Sequence, residues 1–311
     1  SIHKEDSHGM AVFKMVLTLR FFGRSSARIR RFLDCAQYEA LMAQRSGIDV
    51  MALAYGGHWQ IIVPNKPRRA IRTVFLRHDQ KGQLLERINW FYTNEAWYRQ
   101  RGLPYKLGIL LTGRPGTGKS SLIHALASEF NKTIRLLNLN VMSDTSLGLL
   151  GALSDQDLLV IEDIDTFSVT GRRKAPPRDP LMEHVKLDEQ QQMSDTWGAS
   201  LSTVLNVLDG LLSPDGVVVI ATSNHPETLD PAMVRKGRFD LTLDIGPLGA
   251  ECFIEMFAAF YGAGHRSLAE HFVQSGSYRP VIGADAQEIF RHETPRDALK
   301  RLTKPATKEA A

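Results

Sequence analysis

Eight consecutive residues, Gly113-Arg114-Pro115-Gly116-Thr117-Gly118-Lys119-Ser120, combine three glycines with a lysine and a hydroxyl. Glycine lets backbone N–H groups turn inward around an anion without a Cβ in the way. A lysine at this spacing can bridge neighbouring phosphates, and the hydroxyl after it can hold a divalent cation. The apolar run 107–111 precedes the loop and a helix-forming run over 120–130 follows it, the strand–loop–helix setting that this spacing requires. The helix N-terminus adds the positive end of its dipole. Gly113, Pro115, Gly116, Thr117, Gly118, Lys119, Ser120 and Ser121 are therefore the candidate phosphate contacts, with Mg²⁺ on Ser120.

A second set of oxygens closes an apolar run. Leu158-Leu159-Val160-Ile161-Glu162-Asp163-Ile164-Asp165 reads as a buried strand that ends in carboxylates. Beside such a loop, a strand of this kind brings one carboxylate towards the metal and another towards the attacking water. Glu162 is the candidate for the Mg²⁺ side, through water, and Asp163 for the water-polarising group, with an exchange of these parts left open. Asp163 is one methylene shorter than the glutamate usual there, so either the geometry adjusts or hydrolysis slows. The run 217–223 reads as another buried strand, ending at Asn224, whose amide can hold a water or a terminal phosphate. Arg235 and Arg238 lie three residues apart further on. Arginine stabilises charge on a transferring phosphoryl group and can do so across a subunit boundary.

Bringing these groups together calls for a parallel sheet with its strand ends on one side. A helix over 80–100 precedes runs that alternate between strand and helix from 107 to about 245, the pattern of an α/β fold. From 249 onward the apolar spacing is helical only (Phe253, Met256, Phe257 and Phe260, then 268–272, 286–290 and 298–302), which reads as a helical lid. Before 79 come an extended run, 16–22, and a helix over 25–45 with Ile29, Phe32, Leu33, Ala36 and Ala40 on one face. Strands 48–55 and 58–63 flank Gly56-Gly57, a two-residue hairpin signal, and 71–76 reads as one more strand. The organisation expected is a small α+β module over 1–78, a large α/β subdomain over 79–248 and a lid over 249–311. The polar stretch 170–198 is too long for an ordinary connection.

Of the 311 residues, 43% are hydrophobic and 23% charged, which excludes wholesale disorder. No apolar run approaches the ~18 residues needed to span a bilayer. Two cysteines, Cys35 and Cys252, exclude a disulfide framework and a four-thiolate zinc site, and the ten histidines show no metal-ligand spacing. Residues 1–80 carry thirteen Lys/Arg against six Asp/Glu, so that the net charge of +4 sits towards the N-terminus. That asymmetry reads as a solvated basic face or as one that meets an anionic partner.

The phosphate loop, the acidic strand end, Thr222-Ser223-Asn224-His225, and Leu229-Asp230-Pro231-Ala232 followed by Gly237-Arg238-Phe239-Asp240 together resemble the AAA-type ATPases. More narrowly, the chain resembles the AAA family of the mitochondrial Rieske iron–sulfur protein assembly chaperone. That resemblance rests on Trp97-Tyr98-Arg99-Gln100-Arg101-Gly102-Leu103-Pro104-Tyr105 ahead of the loop, the Glu162-Asp163 order, and Leu205-Asn206-Val207-Leu208-Asp209-Gly210. It implies an AAA P-loop fold with a parallel sheet and helical lid behind a family-specific α+β module, with ATP and Mg²⁺ (on Ser120 and Glu162) as ligands. It implies Asn224 as first sensor, Arg235 and Arg238 as arginine fingers acting on a neighbour's nucleotide, and Gly283 at the start of the lid helix that abuts the nucleotide. A homo-oligomeric ring, hexameric or heptameric, would remodel or translocate a protein client. The segment 139–145, where many unfoldases carry an aromatic pore loop, has no aromatic, which favours a folded client over a threaded one; 170–198 falls where AAA rings place a second pore loop. Mitochondrial members carry an N-terminal membrane helix that this sequence does not show, so the expected location is cytoplasmic, with attachment through a preceding segment left open. The alternatives are a nucleic-acid-linked or defence-associated motor, suggested by the basic N-terminal region, and a nucleotide-gated scaffold with little turnover, suggested by the short Asp163.

Overall fold

A computed structural model describes residues 2–7, 10–15, 47–54, 58–139, 150, 152–166, 208–209 and 213–303. The expected extended run 16–22, the helix 25–45, the stretch 170–198 and all of 139–145 except Leu139 lie outside the described residues. The chain divides into two compact units, 1–46 and 47–311. In the first, strands β1 (Ile2–Ser7) and β2 (Met10–Met15) pair antiparallel, from Ile2↔Met15 to Ser7↔Met10.

The second unit runs β3 (Gly47–Ala54), β4 (His58–Pro67), α1 (His78–Thr93), α2 (Glu95–Gln100), β5 (Leu107–Thr112), α3 (Lys119–Glu129), β6 (Thr133–Leu136), β7 (Asp157–Ile161), β8 (Val218–Ser223) and β9 (Leu241–Asp244). Helices α4 (Ala250–Tyr261), α5 (Arg266–Gln274), α6 (Gly283–His292) and α7 (Pro295–Thr303) follow. The seven strands form one sheet in the order β4-β3-β6-β7-β8-β5-β9, parallel except for the β3–β4 hairpin. Every residue of β5, β7 and β8 is buried, as strands covered on both faces must be. Period-two alternation then sends Ile109, Leu111, Leu158, Val160, Val218 and Ile220 into one core. Their neighbours Leu110, Leu159, Ile161, Val219 and Ala221 enter another. On the first face α1 buries Leu84, Ile88 and Phe91, and α3 buries Leu122, Ile123 and Leu126. The phosphate loop, the acidic pair and Asn224 thus emerge at the C-terminal ends of three adjacent central strands, the switch-point crevice of open α/β sheets.

Three local expectations differ from the structure. The hairpin read with the preceding module is hydrogen-bonded into the main sheet, β3 running parallel to β6 from Val50↔Ile134 to Ala52↔Leu136. Ile48 and Val50 are both 5% exposed, so the alternation that marks the strand is satisfied by this sheet's core. The helix expected over 80–100 is two helices, because Asn94 leaves helical geometry at φ −121°, ψ 31° and donates its Nδ2 to Trp90 O at 2.8 Å. The run 71–76 is no strand: Ile71–Thr73 forms a 3₁₀ turn, with Thr73 N and Oγ1 both donating to Ala70 O, at 2.9 and 2.8 Å.

The lid has its own core, in which Phe253, Met256 and Phe257 of α4 meet Phe272, Phe290 and Leu299. Phe253 lies 4.6 Å from Tyr278 between ring centroids, and Phe257 meets Phe290 edge-on at 5.4 Å. The Tyr278 hydroxyl donates to Leu248 O, and burial pushes its pKa up to about 12.

Candidate nucleotide site

β5 ends at Thr112, and the chain then turns through Gly113, Gly116 and Gly118 at φ +136°, +82° and +105°. These are left-handed values that L side chains seldom adopt. A Cβ at Gly113 would lie 2.2 Å from Ile245 O, so the loop also requires glycine for its close approach to the chain after β9. Gly118 caps α3 with no side-chain hydrogen bond, which leaves the first-turn N–H groups available to an anion.

Lys119 is folded back on the loop. Its Nζ donates to Gly113 O at 2.5 Å, Arg114 O at 3.1 Å and Asn224 Oδ1 at 2.7 Å. Burial lowers the Lys119 pKa below that of an ordinary lysine, against the opposing pull of Asp163, Asp165 and Asp244. Asn224, just past β8, is the hub. Its Oδ1 accepts from Lys119, its Nδ2 donates to Asp163 Oδ1 at 2.9 Å, and its backbone N donates to Asp165 Oδ1 at 3.2 Å. The amide's two ends are thereby oriented by their partners, one a cation and one a carboxylate. Asp163 itself sits at φ +49° with its N–H donating to Thr222 Oγ1 at 2.9 Å, so the carboxylate is held at the tip of β8. Ser120 Oγ donates to Glu162 Oε1 at 3.0 Å. A hydroxyl and a carboxylate side by side at a helix N-terminus form an oxygen-only donor set, the kind that Mg²⁺ takes alongside phosphate oxygens and water.

These groups open into a cavity of about 460 Å³, a size suited to a small ligand. Of the residues expected from the sequence, Pro115, Gly116, Thr117, Gly118, Lys119, Ser120, Ser121, Glu162, Asp163, Asn224 and Gly283 line it. The lid closes one side through Leu248, Met256, Gly283, Ala284 and Gln287, and Ala284 N donates to Gly116 O at 3.1 Å. Sequence reasoning missed Thr222, the lid's apolar wall, and a stretch before α1 that supplies Arg69, Thr73, Val74 and Phe75. The signal for Leu248 and Met256 was hidden because the same residues serve the lid core; that for 69–75 was masked by an apolar pattern resembling a strand.

Gly113, Arg235 and Arg238 do not line the cavity, although Gly113 O holds Lys119. The loop that carries the arginines is clamped to β5: Asp240 N donates to Gly108 O at 2.8 Å and Gly108 N to Asp240 Oδ2 at 3.0 Å. A Cβ at Gly108 would fall 1.8 Å from Arg238 O. Arg238 is committed within its own chain. Its Nη1 donates to Ala232 O, and its Nε lies 3.7 Å from Asp209 Oδ2, a carboxylate that also receives Lys106 Nζ at 3.0 Å. Arg235 is exposed.

The AAA model (ATPase family associated with various cellular activities) matches residues 109–247. The mitochondrial chaperone BCS1 of Danio rerio is 34% identical over 293 residues, 92% of this chain and 67% of that protein. The chain belongs to the BCS1 family of AAA ATPases. Its human relative of the same name is 35% identical over 240 residues, 76% of this chain and 54% of that protein. The probable mitochondrial chaperone BCS1-B of Dictyostelium discoideum is 32% identical over 288 residues, 88% and 62% of the two chains. The chain thus spans about half to two thirds of the length of these BCS1 relatives. The segment 109–247 is the family's ATP-hydrolysing domain, and the parallel sheet with its P-loop is the α/β fold expected of it. One expectation is overturned: these relatives are named mitochondrial chaperones, which points to mitochondria and away from the cytoplasm. Among the described residues no helix is long and apolar enough to cross a membrane.

Proposed function

We propose that the chain binds ATP with Mg²⁺ in the cavity between sheet and lid, and hydrolyses it with an arginine supplied by a neighbouring copy in a homo-oligomeric ring, hexameric or heptameric. The observation that carries this reading is the network Lys119–Asn224–Asp163, a cation, an amide and a carboxylate linked at 2.7 and 2.9 Å at the mouth of a phosphate loop. The Lys119 ammonium exchanges its carbonyl partners for the β- and γ-phosphate oxygens. Loop N–H groups at the α3 N-terminus take the inner phosphates. Ser120 and Glu162 would hold Mg²⁺, which when bound neutralises phosphate charge. Asn224, released by Lys119, orients the attacking water, and the Asp163 carboxylate takes its proton. Arg235 of one chain reaches the terminal phosphate of the next and stabilises the charge that develops there. Its exposure supports this part, as does its absence from the cavity of its own chain. Arg238, tied to Ala232 O and Asp209, braces the loop from which Arg235 extends.

Closing and opening of the lid against Gly116 would turn nucleotide state into movement, applied to a protein client that stays folded. The support is the chaperone name of the relatives and the resemblance set out above. The tests are direct. Lys119→Ala should lose ATP binding by about 100-fold, the scale of a charge-assisted phosphate contact; a variant that binds as wild type contradicts the site. Asp163→Asn should hold ATP and its client together. A discrete, folded protein recovered with it from a mitochondrial lysate, nuclease-resistant, supports the client; recovery of nucleic acid that nuclease removes contradicts it.

A further inference from the structure

Resting on the nucleotide reading above, we infer that Arg69 is a nucleotide-binding residue that grips the part ATP and ADP have in common. The stretch between β4 and α1 is stapled to the far end of α3 by two consecutive arginines. Arg68 Nη1 donates to Ser128 O at 2.9 Å and its Nη2 to Asn131 Oδ1, at the negative end of the helix dipole. The Arg69 backbone N donates to Ser128 Oγ at 3.0 Å, and the residue lines the nucleotide cavity.

A guanidinium has five N–H donors. Among the described residues only one finds an acceptor, Nη2 to Thr73 O at a long 3.4 Å, while Nε is buried with no partner. A buried charged donor left unpaired is costly and calls for an acceptor from outside the protein, water or a ligand. The cavity supplies the reason. Among the described residues that line it the only other cation is Lys119, and the lid's contribution of Gly283, Ala284 and Gln287 brings no charge to a polyanion. The wall to which Arg69 belongs decides which part of the nucleotide it meets. Lys119, Asp163 and Asn224 cluster at the strand tips, where the terminal phosphate belongs, whereas Arg69 stands with Thr73, Val74 and Phe75. Its acceptors are therefore on the inner phosphates, ribose or base.

The test is nucleotide affinity by calorimetry on the full chain, with ATP and ADP separately, for wild type, Arg69→Gln and Arg69→Lys. Because the bond to Ser128 comes from the backbone, both variants keep the staple. Arg69→Gln should weaken ADP and ATP in parallel by about tenfold. It should shrink the nucleotide-induced rise in Tm without lowering the Tm of the nucleotide-free protein, a pattern that a merely structural role would not give. Arg69→Lys should fall between. Should the Gln variant fail to fold, a Lys variant with weakened ADP binding carries the proposal and one with wild-type ADP binding overturns it. Unchanged affinities, or weakening confined to ATP, also overturn it. Failure of the underlying site would look different: Lys119→Ala would then bind ATP as wild type does.

Discussion

The two regions that face the terminal phosphate in the proposed cycle are built in opposite ways. On the loop side, each group is wired to the next inside one chain: Lys119 to Asn224, Asn224 to Asp163, Asp163 to Thr222, with Asp165 beneath. On the arginine side, the backbone is fixed as tightly, by β5 and Gly108, yet it ends in an exposed Arg235. The first region is wired before ligand arrives, and in the proposed cycle only the Lys119 ammonium changes partners, from Gly113 O, Arg114 O and Asn224 Oδ1 to phosphate. The second is organised up to its last side chain and then left open. In the proposed reading the difference is a division of labour, with nucleotide binding residing in one chain and the completion of its chemistry waiting on another.

The largest expected effect would break that division. Arg235→Ala should leave ATP binding intact while lowering ATPase turnover about 10³-fold, the lower end of what such an arginine contributes; equilibrium binding beside steady-state turnover reads both. Asp163→Asn should lower turnover by about 10²–10⁴ with binding again intact, because it removes the proton acceptor from the wired side. A loss of binding in either variant would merge the two regions into one. Gly108→Ala sharpens the comparison. Its Cβ, 1.8 Å from Arg238 O, must push the arginine loop off β5. Overpacking of this kind costs about 1–3 kcal/mol, so Tm should fall and turnover should fall further than ATP affinity does.

The smallest effect concerns pH and belongs to the wired side alone. Burial lowers the Lys119 pKa in the empty site, whereas phosphate would raise it again. Between those two values binding takes up a proton, so ATP affinity should decline as pH rises through that alkaline window. The same shift means that the unfolded chain holds the proton more tightly there, so the cost of burying the ammonium is relieved as pH rises. Calorimetry in two buffers of different ionisation enthalpy would detect the uptake, and Lys119→Ala should abolish it.

The sequence made the wired side legible because its groups are contiguous or sit at the ends of strongly apolar strands. Gly113 to Ser120 is a single stretch, and Glu162, Asp163 and Asn224 each follow a run too apolar to be anything but a buried strand. The wall formed by 69–75 was not legible, because its form is set by hydrogen bonds to α3, far along the chain, and its apolar residues mimic a strand. The β3–β4 hairpin was legible as a hairpin and not as part of this sheet, since its partner β6 lies well beyond it in sequence and only register identifies the pair. Nothing in the spacing of Arg235 and Arg238 separates them; only packing shows that one is tied to Asp209 and the other is free of the cavity.

The most direct test of shared sites is complementation between two inactive variants. Lys119→Ala and Arg235→Ala chains, co-expressed with different tags and purified through both, form assemblies in which some boundaries pair an intact loop with an intact arginine. If the site is completed in trans, random mixing should restore about a quarter of wild-type turnover per chain, while each variant alone stays inactive. A doubly tagged assembly that remains inactive, or an Arg235→Ala chain that hydrolyses ATP at the wild-type rate by itself, would contradict the account.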